Sequence, residues 1–234
     1  MLVHATTALP LLAGLLAQTL AAPSPGQANR QSVAAVQKSS DLQALSVDDG
    51  SGMQWTGNIF EGEEPITLYG TAEQIYDAII KANPNFSGAD VSDAEARITP
   101  RDILTKRNQL SCAVMATAGH YDAKNAGNYL RSLRGMCGAP NKECRRMTCQ
   151  NTSASYICSE FSDGTSIFCA TAADQVYWIE GTCCKNGNGV SGHSYADNRD
   201  YSVWLGYGNC GHSSSSRPSS YPYPGGSPNG LCYS

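Results

Sequence analysis

The sequence predicts an α+β protein: a small disulfide-rich sandwich, an antiparallel sheet carrying two helices, preceded by a cysteine-free ββα-like pro-region. Three observations carry this. All ten cysteines lie at or after Cys112. In that half, runs with a two-residue period alternate with stretches of helical period. Ahead of it, two strand-like runs precede one strongly amphipathic helix.

The chain opens "MLVHATTALPLLAGLLAQTLAAPSPG", where an apolar run from Leu9 to Leu20 is followed by small residues and Pro23. That is the shape of a secretory signal over residues 1–21, cut near Ala21 or Ala22. The run is shorter than the ~20 residues a membrane helix needs, and no later segment is apolar enough to cross. A secreted, extracellular protein without a membrane span is expected.

Residues 22–107 form an acidic pro-region with 7 Lys and Arg against 12 Asp and Glu, whereas residues 108–234 have 9 against 8. A region so near neutral lacks the basic stripe that displaces counterions from phosphates, so nucleic acid is not an expected partner. The leader "APSPGQANRQSVAAVQKSSD" is polar and aperiodic. "MQWTGNIFEGEEPITLYG" then offers two short strands around a Gly- and Glu-rich turn. In "TAEQIYDAIIKANP", Thr71 and Gln74 form a capping box, while Ile75, Ala78, Ile79 and Ala82 line one face before Asn83-Pro84 ends the helix. Some fifty residues without a disulfide make a marginal core, so this element is expected to lean on the cysteine-rich half.

In an oxidising compartment, thiols end as disulfides. Cys112, Cys137, Cys144, Cys149, Cys158, Cys169, Cys183, Cys184, Cys210 and Cys232 allow five bridges, with the connectivity open. Adjacent Cys183 and Cys184 would strain the peptide between them if joined, so they are expected to tie different segments to one point. A zinc site from Cys183, Cys184 and His193 has no zinc-finger spacing.

Lys106 and Arg107 precede this framework in a polar stretch, where proteases cut. The pair suits a kexin-type processing protease, which divides a discardable front half from a mature domain over 108–211. A domain beginning at Asn108 is then expected to stay folded once oxidised. A Ser/Pro/Gly/Tyr-rich tail over 212–234 is anchored by Cys232. The sequons Asn85-Phe-Ser and Asn151-Thr-Ser are candidate glycosylation sites.

Within the mature half, "SCAVMAT" is a strand candidate. "DAKNAGNYLRSLRGM" reads as a helix with Asp122 as N-cap and Gly135 near its end. "CGAPNKECRRMTC" reads as a link, in which bridges should shield Arg145-Arg146, and "SASYICSEF" as a strand that "SIFC" extends. "TAADQVYWIEGTCC" places Ala172, Val176 and Ile179 in helical phase, with Gly181 as breaker. "GVSGHSYA" and "DYSVWLGYGNC" close the sheet, with Tyr201, Val203, Leu205 and Tyr207 alternating to one side.

With "LRSLRGMC", "ECRRMTCQNTSASYIC", "SIFCATAADQVYWIEGTCC" and "GVSGHSYADNRDYSVWLGYGNC" in this order, the chain resembles small secreted, effector-like cysteine-rich proteins of filamentous fungi. It is distantly similar to disulfide-rich fungal killer toxins. The resemblance implies a compact α/β sandwich of antiparallel strands and two helices, and action on target cells by interference with ion transport rather than by catalysis. The partner it implies is a host or competitor-cell protein or surface component, besides the processing protease. The doubled Cys183-Cys184 and the long tail depart from the pattern.

Two other functions are compatible with the residues. A ribonuclease-like hydrolase needs a general acid and base, for which His120, Glu160 and His193 are the candidates, although none sits in a hydrolase signature. A cell-wall or adhesive role has the tyrosines beside Pro222 and Pro224 in its favour. The sequence calls for no cofactor, catalytic set or metal set.

Overall fold

The computed structural model describes residues 50–88, 109–113, 115–160, 162–183, 189–196 and 200–211. The expected signal segment, Lys106-Arg107, Cys184, Cys232 and the expected tail lie outside these residues.

The front segment folds as its pattern predicts. β1 (Met53–Gly57) and β2 (Ile66–Gly70) form a hairpin that places Trp55 opposite Leu68. α1 (Ala72–Ala82) begins at a capping box in which the Thr71 N–H donates to Gln74 Oε1 at 2.9 Å. Its apolar stripe is buried at Ile75 and Ile79.

The cysteine-rich half supplies β3 (Gln109–Cys112), α2 (His120–Ser132), β4 (Met136–Ala139), β5 (Cys144–Gln150), β6 (Ser153–Ser159), β7 (Thr165–Phe168), α3 (Cys169–Cys183), β8 (Gly192–Tyr195) and β9 (Tyr201–Tyr207). All ladders between named strands are antiparallel. Five strands pair in the order β3-β8-β9-β6-β5, and four in the order β2-β1-β4-β7. The α+β class and the disulfide-rich character hold, and the three helices among the described residues are those expected, one in the front segment and two beyond it; in place of the single sheet expected of the cysteine-rich half there are two. The sheet count changes because β1 recruits β4, and β4 recruits β7, into a sheet shared with the front segment.

Several expectations are corrected in detail. "SIFC" does not extend the β6 sheet; as β7 it pairs with β4, where Ile167 faces Cys137. The link "CGAPNKECRRMTC" contains β4 and β5; its run of Arg, Lys and Glu hides strands whose Arg145 and Arg146 are both buried. α2 starts at His120 with Gly119 as its N-cap, so Asp122 lies in the first turn, where it accepts from Asn151 Nδ2 at 2.9 Å. Gly181 lies inside α3, facing open space, and the helix continues to a bridged Cys183. The strand expected at "SCAVMAT" ends at Cys112, because Ala113 turns the chain with a φ of +57°.

Four disulfides join Cys112 to Cys183, Cys137 to Cys169, Cys144 to Cys158 and Cys149 to Cys210. The first two pin α3 at both ends, its start to β4 of one sheet and its end to β3 of the other. Cys144–Cys158 staples β5 to β6, and Cys149–Cys210 fastens the chain beyond β9. Each closes a loop whose restriction is worth roughly 3 to 4 kcal/mol.

None of these bridges reaches the front segment, which packing and hydrogen bonds hold in place. One buried core contains Met53, Trp55, Leu68, Ile75 and Ile79 together with Leu130, Cys137, Val176, Ile179, Val203 and Leu205. Across the four-stranded sheet, Leu68, Trp55, Cys137 and Ile167 stand in one transverse row. The Trp55 indole is fully buried and its Nε1–H donates to the Arg134 carbonyl at 2.7 Å. The Arg146 N–H donates to the Ser51 carbonyl, Arg145 reaches the Gly50 carbonyl, and the Tyr76 ring meets Tyr129 edge-on at 6.1 Å. At Gly135, with a φ of +107°, a Cβ would lie 2.3 Å from the Thr56 carbonyl oxygen, so the approach of the two halves requires glycine there. The boundary between 107 and 108 is therefore a boundary of composition, and the core crosses it. A domain from Asn108 would lack part of this single core, which is built from both segments.

Glu73 marks this seam. Its Oε1 accepts the Cys149 N–H at 3.2 Å, while its Oε2 is buried without a hydrogen-bond partner. Burial pushes its carboxyl above the usual range, against the lowering effect of hydrogen bonds from its own backbone, Thr71 and Cys149. A group whose pKa rises on folding contributes stability that is present below its unfolded value and is lost as pH climbs through the folded one. Stability is expected to fall from mildly acid towards neutral pH. Asp174, raised by burial against the pull of Arg131, adds a slope of the same sign. Comparing Glu73→Gln with the parent isolates Glu73: denaturant titrations at about pH 4 and pH 7 should show the variant stabilised relative to the parent at pH 7 only. An equal offset at both pH values would contradict the assignment.

Candidate functional site

Strand alternation gives the five-stranded sheet two distinct faces. The inner face, with Val203, Leu205 and Ile157, packs on α2 and α3. There Gln175 of α3 sits beneath the sheet, accepting from Ser194 Oγ at 2.7 Å and donating to the Tyr201 hydroxyl at 2.8 Å. The outer face has a satellite core of Met115, Cys144, Ala154, Tyr156, Cys158 and Trp204.

One transverse row crosses this outer face over all five strands. Arg146 stands opposite Tyr156, Tyr156 opposite Trp204, Trp204 opposite His193, and His193 opposite Ser111. The Arg146 guanidinium lies 5.7 Å from the Tyr156 ring centre, within cation–π range. The His193 imidazole stacks on Trp204 with centroids 4.2 Å apart and planes 25° from parallel, and Tyr195 meets it edge-on at 5.1 Å. The Trp204 Nε1–H donates to Ser202 Oγ at 2.8 Å, and that hydroxyl donates to Glu160 Oε1 at 2.7 Å. Arg146, Tyr156 and Trp204 are buried, while His193 and Tyr195 are half-buried at its β8 side. This row braces the face and leaves one imidazole and one phenol at its rim.

Two of the three candidate hydrolase residues, His193 and Glu160, are thus linked through Trp204 and Ser202. The third is not with them. His120 belongs to the helix layer, where its Nδ1 lies 2.5 Å from Glu180 Oε1 of α3 and its ring meets Tyr121. Ser194 engages α3 from the inner face, so its neighbour His193 projects from the opposite side of the sheet. An acid and a base must reach the same substrate, and the sheet separates these two histidines. The zinc alternative also loses a ligand, since the Cys183 sulfur is bridged to Cys112. Among the described residues, no group of three or more His, Cys, Asp or Glu is arranged to hold a metal.

Eight of the ten predicted bridge cysteines occupy the four disulfides, and Cys184 and Cys232 lie outside the described residues. Asn151 is exposed in the β5–β6 turn with a φ of +50°, and Asn85 is exposed just beyond α1. Sequence reasoning missed Arg146, Tyr156, Tyr195 and Trp204 as one cluster. Its signal was the two-residue spacing of His193 with Tyr195 and of Ser202 with Trp204.

No protein-family model matches the chain, and no curated protein is significantly similar to it.

Proposed function

We propose that this chain is a secreted, proteolytically processed toxin or effector-like protein, which acts by binding a target on or in another cell. The observation in its favour is the covalent bracing: α3 is tied at one end to each sheet, and the outer strands are stapled separately. Such bracing fits an extracellular protein. Among the described residues, no helix is long and apolar enough to cross a membrane. A fixed scaffold suits recognition by shape, because little conformational freedom is lost on binding. The separation of His120 from His193 disfavours the ribonuclease arrangement.

Lys106-Arg107 is the processing site in this account, read by a kexin-type protease, and the fungal resemblance is its context. Both sequons carry glycan, since Asn85 and Asn151 are exposed and Asn85 stays with the fold. Endoglycosidase treatment of protein secreted by a glycosylating host should lower the mass; substitution of Asn151 should remove one step of that change.

The functional test is to apply the oxidised protein to plant leaf tissue, susceptible fungal cells and bacterial cells, with a fully reduced sample as control. A response to the oxidised form in one class of cell is expected. No response in any class, or an equal response to the reduced form, would overturn the proposal.

A further inference from the structure

The outer face of the four-stranded sheet has a groove of about 240 Å³, whose lining includes Gln54, Thr56, Met136, Gly138, Asp163 and Ser166. The register explains its shape. Gln54, Gly138 and Ser166 stand in one transverse row, and Thr56, Met136 and Phe168 in the next. A Cβ at Gly138 would lie 2.3 Å from the Thr165 carbonyl oxygen, so β7 approaches too closely for any side chain there. The glycine leaves a trough between Gln54 and Ser166. Met136 rises beside it, with the 38 % exposed ring of Phe168 next in line.

The lining selects its ligand by elimination. It contains no Lys, Arg or His, and its one charge is Asp163, so phosphate, sulfate and uronate groups find repulsion in place of the cations they need. One carboxylate does not make a hard-cation site, which takes six or more oxygens for calcium. An extended peptide adds to the edge of a sheet, whereas this groove lies on a face. The volume falls below the roughly 300 to 1,000 Å³ of sites that enclose a drug-sized molecule, so the groove takes a single small ring. What remains on offer is an amide, several hydroxyls and a carboxylate, able to donate and accept in alternation, beside a thioether and an exposed aromatic ring. A neutral sugar ring has the matching chemistry, hydroxyls around its rim and a C–H face.

We propose that this groove binds one ring of a neutral saccharide. The inference rests on the binding function proposed above and names the ligand class at the target surface. It also needs both parts of the chain, because Gln54 and Thr56 precede the dibasic pair and Met136, Gly138, Asp163 and Ser166 follow it.

The test titrates the oxidised full chain, by calorimetry and amide chemical shifts, with four probes: oligomers of N-acetylglucosamine, of β-linked glucose, of mannose and of galacturonate. At least one neutral series should bind and galacturonate should not. Gln54→Ala and Asp163→Ala should each weaken that binding about tenfold or more at an unchanged denaturation midpoint. Tyr121→Ala, on exposed α2 surface, should leave it unaltered. Absence of binding by every neutral series, tighter binding of galacturonate, or indifference to both groove substitutions would overturn the proposal. A cellular response without saccharide binding removes the groove assignment and leaves the toxin or effector function standing. Saccharide binding without any cellular response does the reverse.

Discussion

Secreted from Asn108 behind an intact signal, the cysteine-rich half is expected not to reach its fold, whatever the redox conditions. Without residues 50–88 the four-stranded sheet loses β1 and β2, and β4 keeps only β7 as a partner, its other edge open. The faces that Met53, Trp55, Leu68, Ile75 and Ile79 cover in the shared core would open to water. Each large apolar side chain removed from a core costs about 2 to 5 kcal/mol, so the loss of five, about 10 to 25 kcal/mol, matches or exceeds the roughly 5 to 15 kcal/mol that holds a domain folded. The bridges restrict the unfolded chain without replacing that burial. The truncated product should be scarce, heterogeneous in its bridges and without near-ultraviolet circular dichroism; a uniformly bridged product with cooperative unfolding would refute this.

Trp55→Ala is the point substitution expected to have the largest effect. The indole is fully buried, in line with Leu68, Cys137 and Ile167, and its N–H occupies the Arg134 carbonyl. A Cβ at Gly57 would approach the indole to 2.5 Å, so the site is closely packed. Emptying it should cost about 3 to 5 kcal/mol and strand the carbonyl as well. That is comparable with the loss of a native disulfide, although Trp55 precedes every cysteine. Chemical denaturation of oxidised protein measures it, with Trp55→Phe as a milder companion that keeps the ring and loses the hydrogen bond. A loss below about 1 kcal/mol for Trp55→Ala would mean that the seam is not packed as described.

The sequence displayed the local elements well and their partnership poorly. The capping box at Thr71 and Gln74, the stripe of α1 and the alternation in β9 are short-range signals, and each is found where its period places it. β4 was hidden because "MCGA" is only four residues long with a glycine at its centre, and β5 because its run includes adjacent arginines. Those arginines are buried through partners distant in sequence, Gly50 for Arg145 and Ser51 for the Arg146 backbone, which no local pattern announces. Gly181 has the pattern of a breaker, yet an exposed helical glycine costs only about 1 kcal/mol, which bridges at both ends of α3 readily offset. Most instructive is the front half. Its lack of cysteine and its acidity set it apart in composition, yet Trp55, Leu68 and Ile79 need a surface to cover, and the cysteine-rich half is that surface. For the candidate site, alternation could have shown that His193, Tyr195 and Trp204 share a face. Bringing Tyr156 and Arg146 into the same row required the strand order.

The central claim is that residues 50–88 and the cysteine-rich half form one folded unit, held across the seam without a covalent bridge. Its most direct test is to cut the purified oxidised protein after Arg107 with a kexin-type protease and to compare native mass spectrometry with non-reducing denaturing electrophoresis. The cut protein should remain one particle of the uncut mass plus a water, and should separate into two bands in detergent without any reductant. Release of the front fragment under native conditions, with the remaining chain still cooperatively folded, would contradict the account and restore the front half to a discardable leader.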